Sequence, residues 1–376
     1  MLFKASLGFL ALLSLALILW QWWVARRFPL HKRARAEGSQ PAVTVLKPLK
    51  GSDEATEACL RSWFAQEYGG PLQLVFGVAS AQDPVCAVID KLRVEFPSVD
   101  AQLRVFGPLT GANLKASKLA QMQGLAKHDL IVVSDADVWI APDFLKHFLP
   151  ALDDPDVGLV CSLYRMGRPL TLAMHWEALA VNIDFWSQVL QARSLKPLDF
   201  ALGAVMAARR SRIEEIGGFA GLANCLADDY QLGNRLARRG YRVELAAVVS
   251  ECRSAPLGWR DVWKHQLRWA RTIRVCQPLS YFFSILANAT LWPLLWLAAA
   301  PGADCLAFLA GCLFIRIATA ADLENRMTER RGWAGGALAP AKDLLQAAIW
   351  LLAFTGNRVE WRGERLRVRR GGMLER

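Results

Sequence analysis

The sequence predicts an α/β domain, a parallel sheet covered by helices, with membrane-spanning helices near both ends of the chain. Between residues 41 and 277, apolar runs of strand length alternate with stretches of helical character. Two further regions, residues 5–25 and 281–320, are apolar enough to cross a bilayer. The apolar fraction of 53% and the mean hydropathy of +0.20 are high for a soluble enzyme. The 376 residues therefore accommodate one large domain plus membrane segments.

The first apolar run, residues 5–25, lacks charged residues and ends in Trp20, Trp22 and Trp23. It is long enough for a spanning helix, with the tryptophans at the membrane interface. A cleaved signal peptide is the alternative, but there the charges precede a shorter apolar core. Here the basic residues follow: Arg26, Arg27, His31, Lys32, Arg33 and Arg35. Because Lys and Arg favour the cytoplasmic side, the N-terminus is expected outside and the following domain inside.

Four strands are predicted in the domain, at residues 43–46, 72–78, 102–106 and 130–133. Helices fit between them, for example at residues 54–66 and 84–95. In such sheets ligands bind beyond the carboxyl ends of the strands. Side chains at those ends are therefore the first candidates for a site.

Charged residues follow the first two strands. Lys47 and Lys50, beside the turn-forming Gly51, could meet phosphate charge, although lysines after a strand are ordinarily only solvated. Asp83 follows the second strand and could accept hydrogen bonds from a base or ribose. It also fits an N-cap before Pro84 at the start of a helix, and the two roles are compatible.

The fourth strand runs directly into Asp135-Ala136-Asp137. In extended geometry both carboxylates face one way and could share one Mg²⁺ or Mn²⁺, whose remaining sites take diphosphate oxygens and water. An Asp-x-Asp occurs about once by chance in a chain of this length. The position of Asp135 and Asp137 at the end of an apolar strand, where their charges need compensation, is what supports a metal site.

Two later segments carry charge in helical patterns. Residues 227–241 read as a helix that begins with Asp228 and Asp229 and ends at Gly240, which a capped surface helix also explains. In residues 263–274, Arg268 falls on a basic helix face and Trp269 on another. Such a helix before a membrane span can lie on the lipid surface, or Arg268 could neutralise a leaving diphosphate.

The C-terminal region contains two apolar stretches, residues 281–300 and 303–320, that predict a hairpin of spanning helices. Residues 344–354 are too short for a span and are expected to be interfacial or re-entrant. The basic tail would then be cytosolic; it contains Arg358, Arg362, Arg365, Arg367, Arg369 and Arg370. The expected divisions are 1–40 for the anchor, 41–277 for the catalytic domain, 278–357 for the membrane region and 358–376 for the tail.

Charge and cysteine content exclude other classes. The net charge of +11 gathers beside the apolar segments, which indicates anionic lipid headgroups rather than nucleic acid, and no nucleic-acid-binding motif occurs. The eight cysteines form no Cys-x-x-Cys, so neither a zinc site nor a disulfide framework is predicted. They suit a reducing cytosol.

Taken in order, these motifs resemble those of the ceramide glucosyltransferases and their bacterial relatives, including hopanoid-associated glycosyltransferases. The segments that carry the resemblance are residues 45–51, Asp83-Pro84, the Asp135 segment, Asp228-Asp229-Tyr230 and Arg268-Trp269. The resemblance extends from the N-terminal anchor to the C-terminal membrane region. It implies a GT-A fold, Rossmann-like, that transfers a sugar from a UDP-sugar to a membrane lipid with inversion.

The resemblance also implies roles for individual residues. Asp83 would contact the nucleotide, Asp135 and Asp137 the metal and diphosphate, and Asp229 would be the base that inversion requires. Lys115 and Lys118 match a donor-site loop, and Arg268 and Trp269 match the end of the family's Gln/Arg-x-x-Arg-Trp motif. The sequence departs from the family in having His265 at the first position of that motif. It also has Asp137 where animal ceramide enzymes carry glycine.

The expected activity is transfer of glucose from UDP-glucose to ceramide with Mg²⁺ or Mn²⁺. The alternative is transfer of N-acetylglucosamine to a hopanoid lipid. Two other classes stay open, a metal-dependent phosphohydrolase of lipid diphosphates and a non-catalytic membrane scaffold. The expected partners are the UDP-sugar, the lipid acceptor and the bilayer, without nucleic acid. We expect an integral protein of the bacterial inner membrane with its catalytic domain in the cytoplasm.

Overall fold

The structure, a computed structural model, describes residues 2–33, 40–361 and 364–375. Arg35 and Arg362, two of the basic residues named above, lie outside the described residues. The α-helices are α1 (Leu2–Arg27), α2 (Thr56–Phe64), α3 (Val85–Glu95), α4 (Leu114–Gln123), α5 (Phe144–Phe148), α6 (Leu172–Leu179), α7 (Trp186–Leu195), α8 (Arg210–Glu215), α9 (Asp228–Arg238), α10 (Trp259–Cys276), α11 (Pro278–Ser284), α12 (Leu291–Ala299), α13 (Ala303–Thr328) and α14 (Ala334–Ala353). The strands are β1 (Val43–Pro48), β2 (Leu72–Val78), β3 (Asp100–Val105), β4 (Leu130–Ser134), β5 (Val138–Trp139), β6 (Val157–Met166), β7 (Val205–Arg209), β8 (Arg242–Cys252), β9 (Arg358–Trp361), β10 (Glu364–Val368) and β11 (Leu374–Glu375).

The chain divides into two compact units. The sheet unit comprises Leu30–Arg168, Pro197–Pro256 and Gly372–Arg376, and the helical unit comprises Met1–Pro29, Pro169–Lys196 and Leu257–Gly371. Residues 169–196 and 257–277, which the sequence-based division assigns to the catalytic domain, thus group with the helical unit.

The sheet unit is built on an eight-stranded sheet in the order β3-β2-β1-β4-β7-β6-β8-β5. Strands β1 to β4 pair in parallel, as predicted. The sheet then continues through β7, which runs antiparallel to β4 with Val205 opposite Ser134. The sheet is therefore mixed, and the start of β7 lies at the carboxyl end of β4.

The central strands are buried because their sequences are nearly continuous apolar runs, as expected for strands covered on both faces. Every residue of β1 is buried, including Lys47. Beside the sheet, Trp63 is fully buried, and the rings of Phe64 and Phe76 stack with centroids 5.5 Å apart. This packing fixes the strand ends from which the candidate site projects.

In the helical unit, two helices are long and apolar enough to cross a membrane. They are α1 and α13, each of 26 residues, with mean hydropathies of 2.2 and 1.8. Residues 281–300, predicted as one span, form two helical segments, Pro278–Ala287 and Leu291–Ala299, that meet at an angle of 59°, the geometry of a broken span or of a re-entrant loop. Asn288 breaks the helix there, because its Oδ1 accepts hydrogen bonds from the backbone amides of Thr290 and Leu291. The second predicted span is longer than expected and continues to Thr328.

Residues 344–354 belong mostly to α14, which also contains Lys342 and Asp343. These two charges are buried in an ion cluster with Arg316 of α13 and Asp184 of the π-helical segment Ala180–Phe185. Arg316 has only 1% of its side chain exposed and lies 2.8 Å from Asp343 and 2.9 Å from Asp184. The cations of Arg316 and Lys342 thus balance the carboxylates of Asp184 and Asp343. The sequence of α14 alone does not predict this pairing.

Candidate active site

The Asp135-Ala136-Asp137 segment forms a turn between β4 and β5. The extended geometry expected from the sequence is therefore wrong, and strand alternation does not set the directions of the two carboxylates. The chain turns here because β4 is central whereas β5 pairs with β8 at the sheet edge. Asp135 is partly buried and Asp137 is exposed.

Lys47 holds this turn from inside the sheet. Its Nζ donates hydrogen bonds to the Asp135 carbonyl at 2.7 Å and to Ser134 Oγ at 3.0 Å, and it lies over the ring of Trp63. Burial lowers the pKa of Lys47 to about 7. The sequence places Lys47 after the strand, whereas the structure places it within β1. Its observed contacts are therefore with the protein backbone and a hydroxyl.

Three backbone contacts add to this support. The Asp135 amide donates to the Ala204 carbonyl at 3.2 Å, next to the start of β7. The Asp137 carbonyl accepts hydrogen bonds from the Arg253 amide at 2.9 Å and from Cys59 Sγ at 3.3 Å. The turn is consequently fixed by β1, β7, β8 and α2 together.

Lys115 joins the turn to the start of α9. Its Nζ lies 2.6 Å from Asp135 Oδ1 and 3.3 Å from Asp228 Oδ2, and only 8% of its side chain is exposed. Burial alone would lower the pKa of Lys115, but the charges of Asp135 and Asp228 raise it above its ordinary value. Lys115 is therefore a charged ammonium that compensates two carboxylates.

Asn113 places Lys115 by capping α4. Its Oδ1 accepts a hydrogen bond from the Ala116 amide at 3.0 Å, and its Nδ2 donates to the Cys225 carbonyl at 2.8 Å and to Asp228 Oδ1 at 3.2 Å. One amide side chain thus satisfies a helix terminus and also orients Asp228.

Asp229 lies in a narrow site beside this cluster. Burial, together with the charge of Asp228, raises the pKa of Asp229 to about 6, and Lys115 opposes that rise. A Cβ atom on Gly203 would lie 2.5 Å from Asp229 Oδ2. The Asp229 carboxylate can therefore occupy this position only because residue 203 is a glycine. The pKa of Asp229 suits proton transfer near neutral pH.

The ends of β1 and β2 are joined through Asp83. Both of its carboxylate oxygens lie 3.0 Å from the amide of Gly51, which has a φ of +73°. Oδ1 also accepts a hydrogen bond from the Val85 amide at 3.1 Å, at the start of α3, as the helix-capping alternative predicts. Contact of Asp83 with a nucleotide stays a prediction.

The remaining lysines of the predicted donor site differ in exposure. Lys118 is buried, and its Nζ donates a hydrogen bond to the Leu49 carbonyl at the end of β1. Lys50 is exposed one residue further on. Contact of either lysine with phosphate stays a prediction.

Arg268 and Trp269 lie on α10 in the helical unit. The ring of Trp269 packs against His265, with centroids 4.3 Å apart, and His265 Nδ1 lies 2.7 Å from the buried Glu177. No pattern in the sequence singles out Glu177, because His265 is 88 residues away from it along the chain.

Among the predicted site residues, the structure thus brings together Asp135, Lys115 and the start of α9. Sequence reasoning did not predict the helix cap formed by Asn113 or the contact of Gly203 with Asp229. The N-cap pattern could have identified Asn113, but only the fold reveals the contact of Gly203.

The donor set at the turn fits a hard divalent cation. In the described ranges, no group of three or more His, Cys, Asp or Glu side chains could hold a metal ion. The protein would therefore offer the two carboxylates of Asp135 and Asp137, with diphosphate oxygens and water as further ligands. That division of ligands is the usual one for Mg²⁺ in nucleotide sites.

Comparison with known proteins identifies glycosyltransferases of similar sequence. Ceramide glucosyltransferase 3 of Caenorhabditis elegans is 24% identical over 248 residues, covering 65% of this chain and 53% of the worm protein. An N-acetylglucosaminyltransferase of Bradyrhizobium diazoefficiens is 25% identical over 261 residues, covering 65% of this chain and 51% of that protein. This chain thus spans about half the length of these relatives.

The structure also resembles the mannosyltransferase PcManGT of Pyrobaculum calidifontis, solved in complex with GDP-Man and Mn²⁺. The TM-score is 0.54 at 20% identity, covering 93% of this chain and 98% of that one. At this identity the likeness establishes the fold, which is GT-A. The sequence profile of glycosyl transferase family 21 matches residues 6–374. This chain therefore belongs to glycosyl transferase family 21.

Proposed function

We propose that this glycosyltransferase transfers glucose from UDP-glucose to the hydroxyl of a membrane lipid, ceramide, with inversion at the anomeric carbon. The observation that carries the proposal is the joined set of Asp135, Lys115, Asp228 and Asp229. In this set, a carboxylate with a pKa of about 6 adjoins the residues that would hold the diphosphate. The ceramide glucosyltransferase among the relatives supports the choice of donor and acceptor.

In the proposed reaction, Asp229 acts on the acceptor. Its carboxylate takes the proton of the lipid hydroxyl while the hydroxyl oxygen bonds to the anomeric carbon and the bond from that carbon to UDP breaks. The proton ends on Asp229, and the electron pair leaves on the diphosphate. A pKa of about 6 keeps Asp229 ionised at neutral pH and still basic enough to accept the proton.

The UDP-sugar donor would be held at the Asp135 end of the cluster, opposite the Asp229 end. Asp135 and Asp137 would hold Mg²⁺ or Mn²⁺, which when bound neutralises the charge of the leaving diphosphate. Lys115 orients the Asp135 carboxylate, and Lys47 fixes the backbone of the turn.

Other residues complete the proposed donor site. Lys118 would fix the end of β1, while Lys50 and Asp83 would meet the phosphate and nucleotide at that edge. Arg268 and Trp269 would also bind the nucleotide-sugar, with Arg268 neutralising the leaving diphosphate.

The membrane arrangement is part of the proposal. α1 and α13 would anchor the protein in the bacterial inner membrane, with the sheet unit on the cytoplasmic side, where UDP-sugars are made. The basic residues that follow α1 support this orientation. Protease protection of a C-terminal tag in sealed vesicles tests it, since a tag outside the cytoplasm contradicts the proposed topology.

A second candidate function has specific support. The Bradyrhizobium diazoefficiens relative is an N-acetylglucosaminyltransferase, which supports N-acetylglucosamine as the alternative sugar. Combined with the hopanoid acceptor that the family resemblance implies, the alternative is transfer of N-acetylglucosamine to a hopanoid lipid. The two candidates differ in both donor and acceptor, and one substrate panel separates them.

The experiment incubates purified full-length protein in lipid nanodiscs with UDP-glucose, UDP-N-acetylglucosamine or UDP-galactose. Each donor is offered with ceramides and with hopanoid lipids, in Mg²⁺ or Mn²⁺, and products are identified by mass spectrometry. Glucosylceramide is expected, in the anomeric configuration opposite to that of the donor. Absence of every glycolipid together with absence of nucleotide binding would contradict transferase activity. Release of phosphate or nucleotide without lipid would instead favour a phosphohydrolase.

A further inference from the structure

A basic cavity of about 680 Å³ lies in the helical unit, between the end of α10, the segment after α14 and the β9–β10 hairpin. Its lining residues are Arg271, Arg274, Phe354, Thr355, Gly356, Asn357, Arg358 and Arg367. Four of these eight carry guanidinium groups, and none of the eight carries a carboxylate.

Two of the arginines come from one face of α10. Arg271 and Arg274 are three residues apart, a spacing that brings like charges together on a helix. The Nε atom of each is buried and has no hydrogen-bond partner within the described part of the chain. Burial and the charge of Arg274 lower the pKa of Arg271. Their observed hydrogen bonds go to neutral acceptors on Gly356, Asn357 and Arg358, and Arg274 also lies over the ring of Phe354, 5.6 Å from its centroid.

The other two arginines face each other across the hairpin. Arg358 and Arg367 are direct cross-strand partners in the antiparallel β9–β10 pair. Like charges in such positions destabilise a hairpin. On the same strand, Glu360 forms a 3.0 Å ion pair with Lys264. Over the described residues, none of the four arginines forms an ion pair with a carboxylate.

We propose that this cavity binds the phosphate of an anionic phospholipid headgroup. Four guanidinium groups around one cavity provide paired N–H donors that match phosphate oxygens, and a bound anion would relieve both like-charge pairs. The two helical arginines also carry buried donors that find no acceptor among the described residues.

The walls of the cavity favour a lipid over free phosphate. Phe354 lines it and packs edge-on against Trp350 and Phe282, with ring centroids 5.0 and 6.4 Å away. Phe282 and Phe283 are largely exposed. Aromatic side chains beside a cationic site are typical of the membrane interface, where a headgroup and its acyl chains need different surroundings. The cavity thus offers a cationic environment for a headgroup and an aromatic wall for the adjoining acyl chains.

The test uses the purified full-length chain in a neutral detergent. Dioleoylphosphatidylglycerol, dioleoylphosphatidylcholine and inorganic phosphate are titrated separately, and binding is followed by native mass spectrometry and by the shift in thermal midpoint. The variant is Arg271→Gln with Arg274→Gln. The matched control is Arg330→Gln with Arg331→Gln, which removes the same charge from exposed positions of the helical unit.

Phosphatidylglycerol is expected to bind and stabilise the wild type more than phosphatidylcholine does. Its affinity should fall about fivefold for each arginine removed from the cavity. The control variant should keep wild-type affinity. Arginine-dependent stabilisation by inorganic phosphate alone would support a phosphate site and assign its source to free phosphate. Equal binding by the wild type and the cavity variant would overturn the proposal.

A second variant covers the case in which the double variant does not fold. Arg367→Gln changes one exposed side chain and removes the repulsion with Arg358. Without lipid it should be at least as stable as the wild type, whereas with phosphatidylglycerol it should gain less stability. A gain equal to that of the wild type counts against the site.

Discussion

The ammonium of Lys115 lies between two carboxylates, 2.6 Å from Asp135 Oδ1 and 3.3 Å from Asp228 Oδ2. One buried cation therefore connects the turn proposed to hold the metal and diphosphate with the helix that begins beside the proposed base. Because Asp229 directly follows Asp228, a change of charge at Lys115 acts on both halves of the site.

Replacement of Lys115 tests this connection. Lys115→Met should destabilise the protein by about 3 kcal/mol, because the buried Asp228 and the partly buried Asp135 lose their shared cation. It should also raise the pKa of Asp229, since Lys115 lowers it. Thermal unfolding and the pH dependence of turnover measure the two effects. The control is Lys127→Met, which removes an exposed ion pair with Asp100. Equal, small losses in both variants would contradict the connection.

The pKa of Asp229 predicts the pH profile. A base must be ionised, so kcat/KM should rise with pH through about 6 and level off above it. Asp229→Asn should reduce turnover by about 10²-fold or more and keep donor binding. The exposed Asp90→Asn serves as control. Full activity of Asp229→Asn would remove Asp229 from the role of base.

Ionisation of the Asp229 carboxylate should lower the free energy of unfolding. Its pKa is about 6 in the folded state against an ordinary value of 3.8, so between these values the folded state binds more protons than the unfolded state. The free energy of unfolding therefore falls as pH rises through this window and stays low above it. Asp229→Asn should exceed the wild type by about 1–3 kcal/mol at pH 8 and by less at pH 5. Thermal unfolding at both pH values checks the sign, and a pH-independent difference would contradict it.

The proposed metal site at Asp135 and Asp137 predicts that removing one of these carboxylates weakens donor binding in a metal-dependent way. Asp135→Ala should weaken binding of UDP in the presence of Mg²⁺ or Mn²⁺ at least about tenfold, with little change when the cation is removed by a chelator. Isothermal titration calorimetry gives both values. Asp129→Ala removes an exposed carboxylate at the other end of β4 and should bind UDP normally. Unchanged affinity of the Asp135 variant would argue against chelation.

The close approach of Gly203 to Asp229 predicts that a larger residue at position 203 displaces the base. Gly203→Ala should displace Asp229, because the added methyl group would lie 2.5 Å from Oδ2. Overpacking of this kind costs about 1–3 kcal/mol, and turnover should fall more than donor affinity does. Gly124→Ala is a suitable control, since its φ is −67° and the nearest atom to an added Cβ is 3.9 Å away. Normal turnover of Gly203→Ala would show that the base tolerates displacement.

The sequence predicted the parallel half of the sheet because β1, β2 and β4 are apolar runs that read as buried strands without tertiary information. It could not predict the direction of β7, which depends on pairing with β4. For the same reason it missed the approach of Gly203 to Asp229, which are 26 residues apart.

At the candidate site, the position of Asp135 at a strand end was predictable and its conformation was not. The turn depends on Lys47 and Ala204, whose contacts with Asp135 span distant parts of the chain. The apolar sequence around Lys47 does not indicate that its ammonium donates a hydrogen bond to the Asp135 carbonyl, 88 residues further along the chain. The charges of α14 were similarly misleading, because Arg316 and Asp184 lie far from them in sequence.

The ion cluster around Arg316 has a consequence for biosynthesis. As a membrane span, α13 would carry Arg316 into lipid at a cost of about 3 kcal/mol unless its carboxylate partners were present. Asp343 is synthesised 27 residues after Arg316. Asp184 is synthesised before Arg316 and can pair with it as α13 emerges, whereas Lys342 and Asp343 complete the cluster only after α14 has left the ribosome. Membrane integration of this chain would then proceed with Arg316 already paired, and α14 would bring a cation and a carboxylate together.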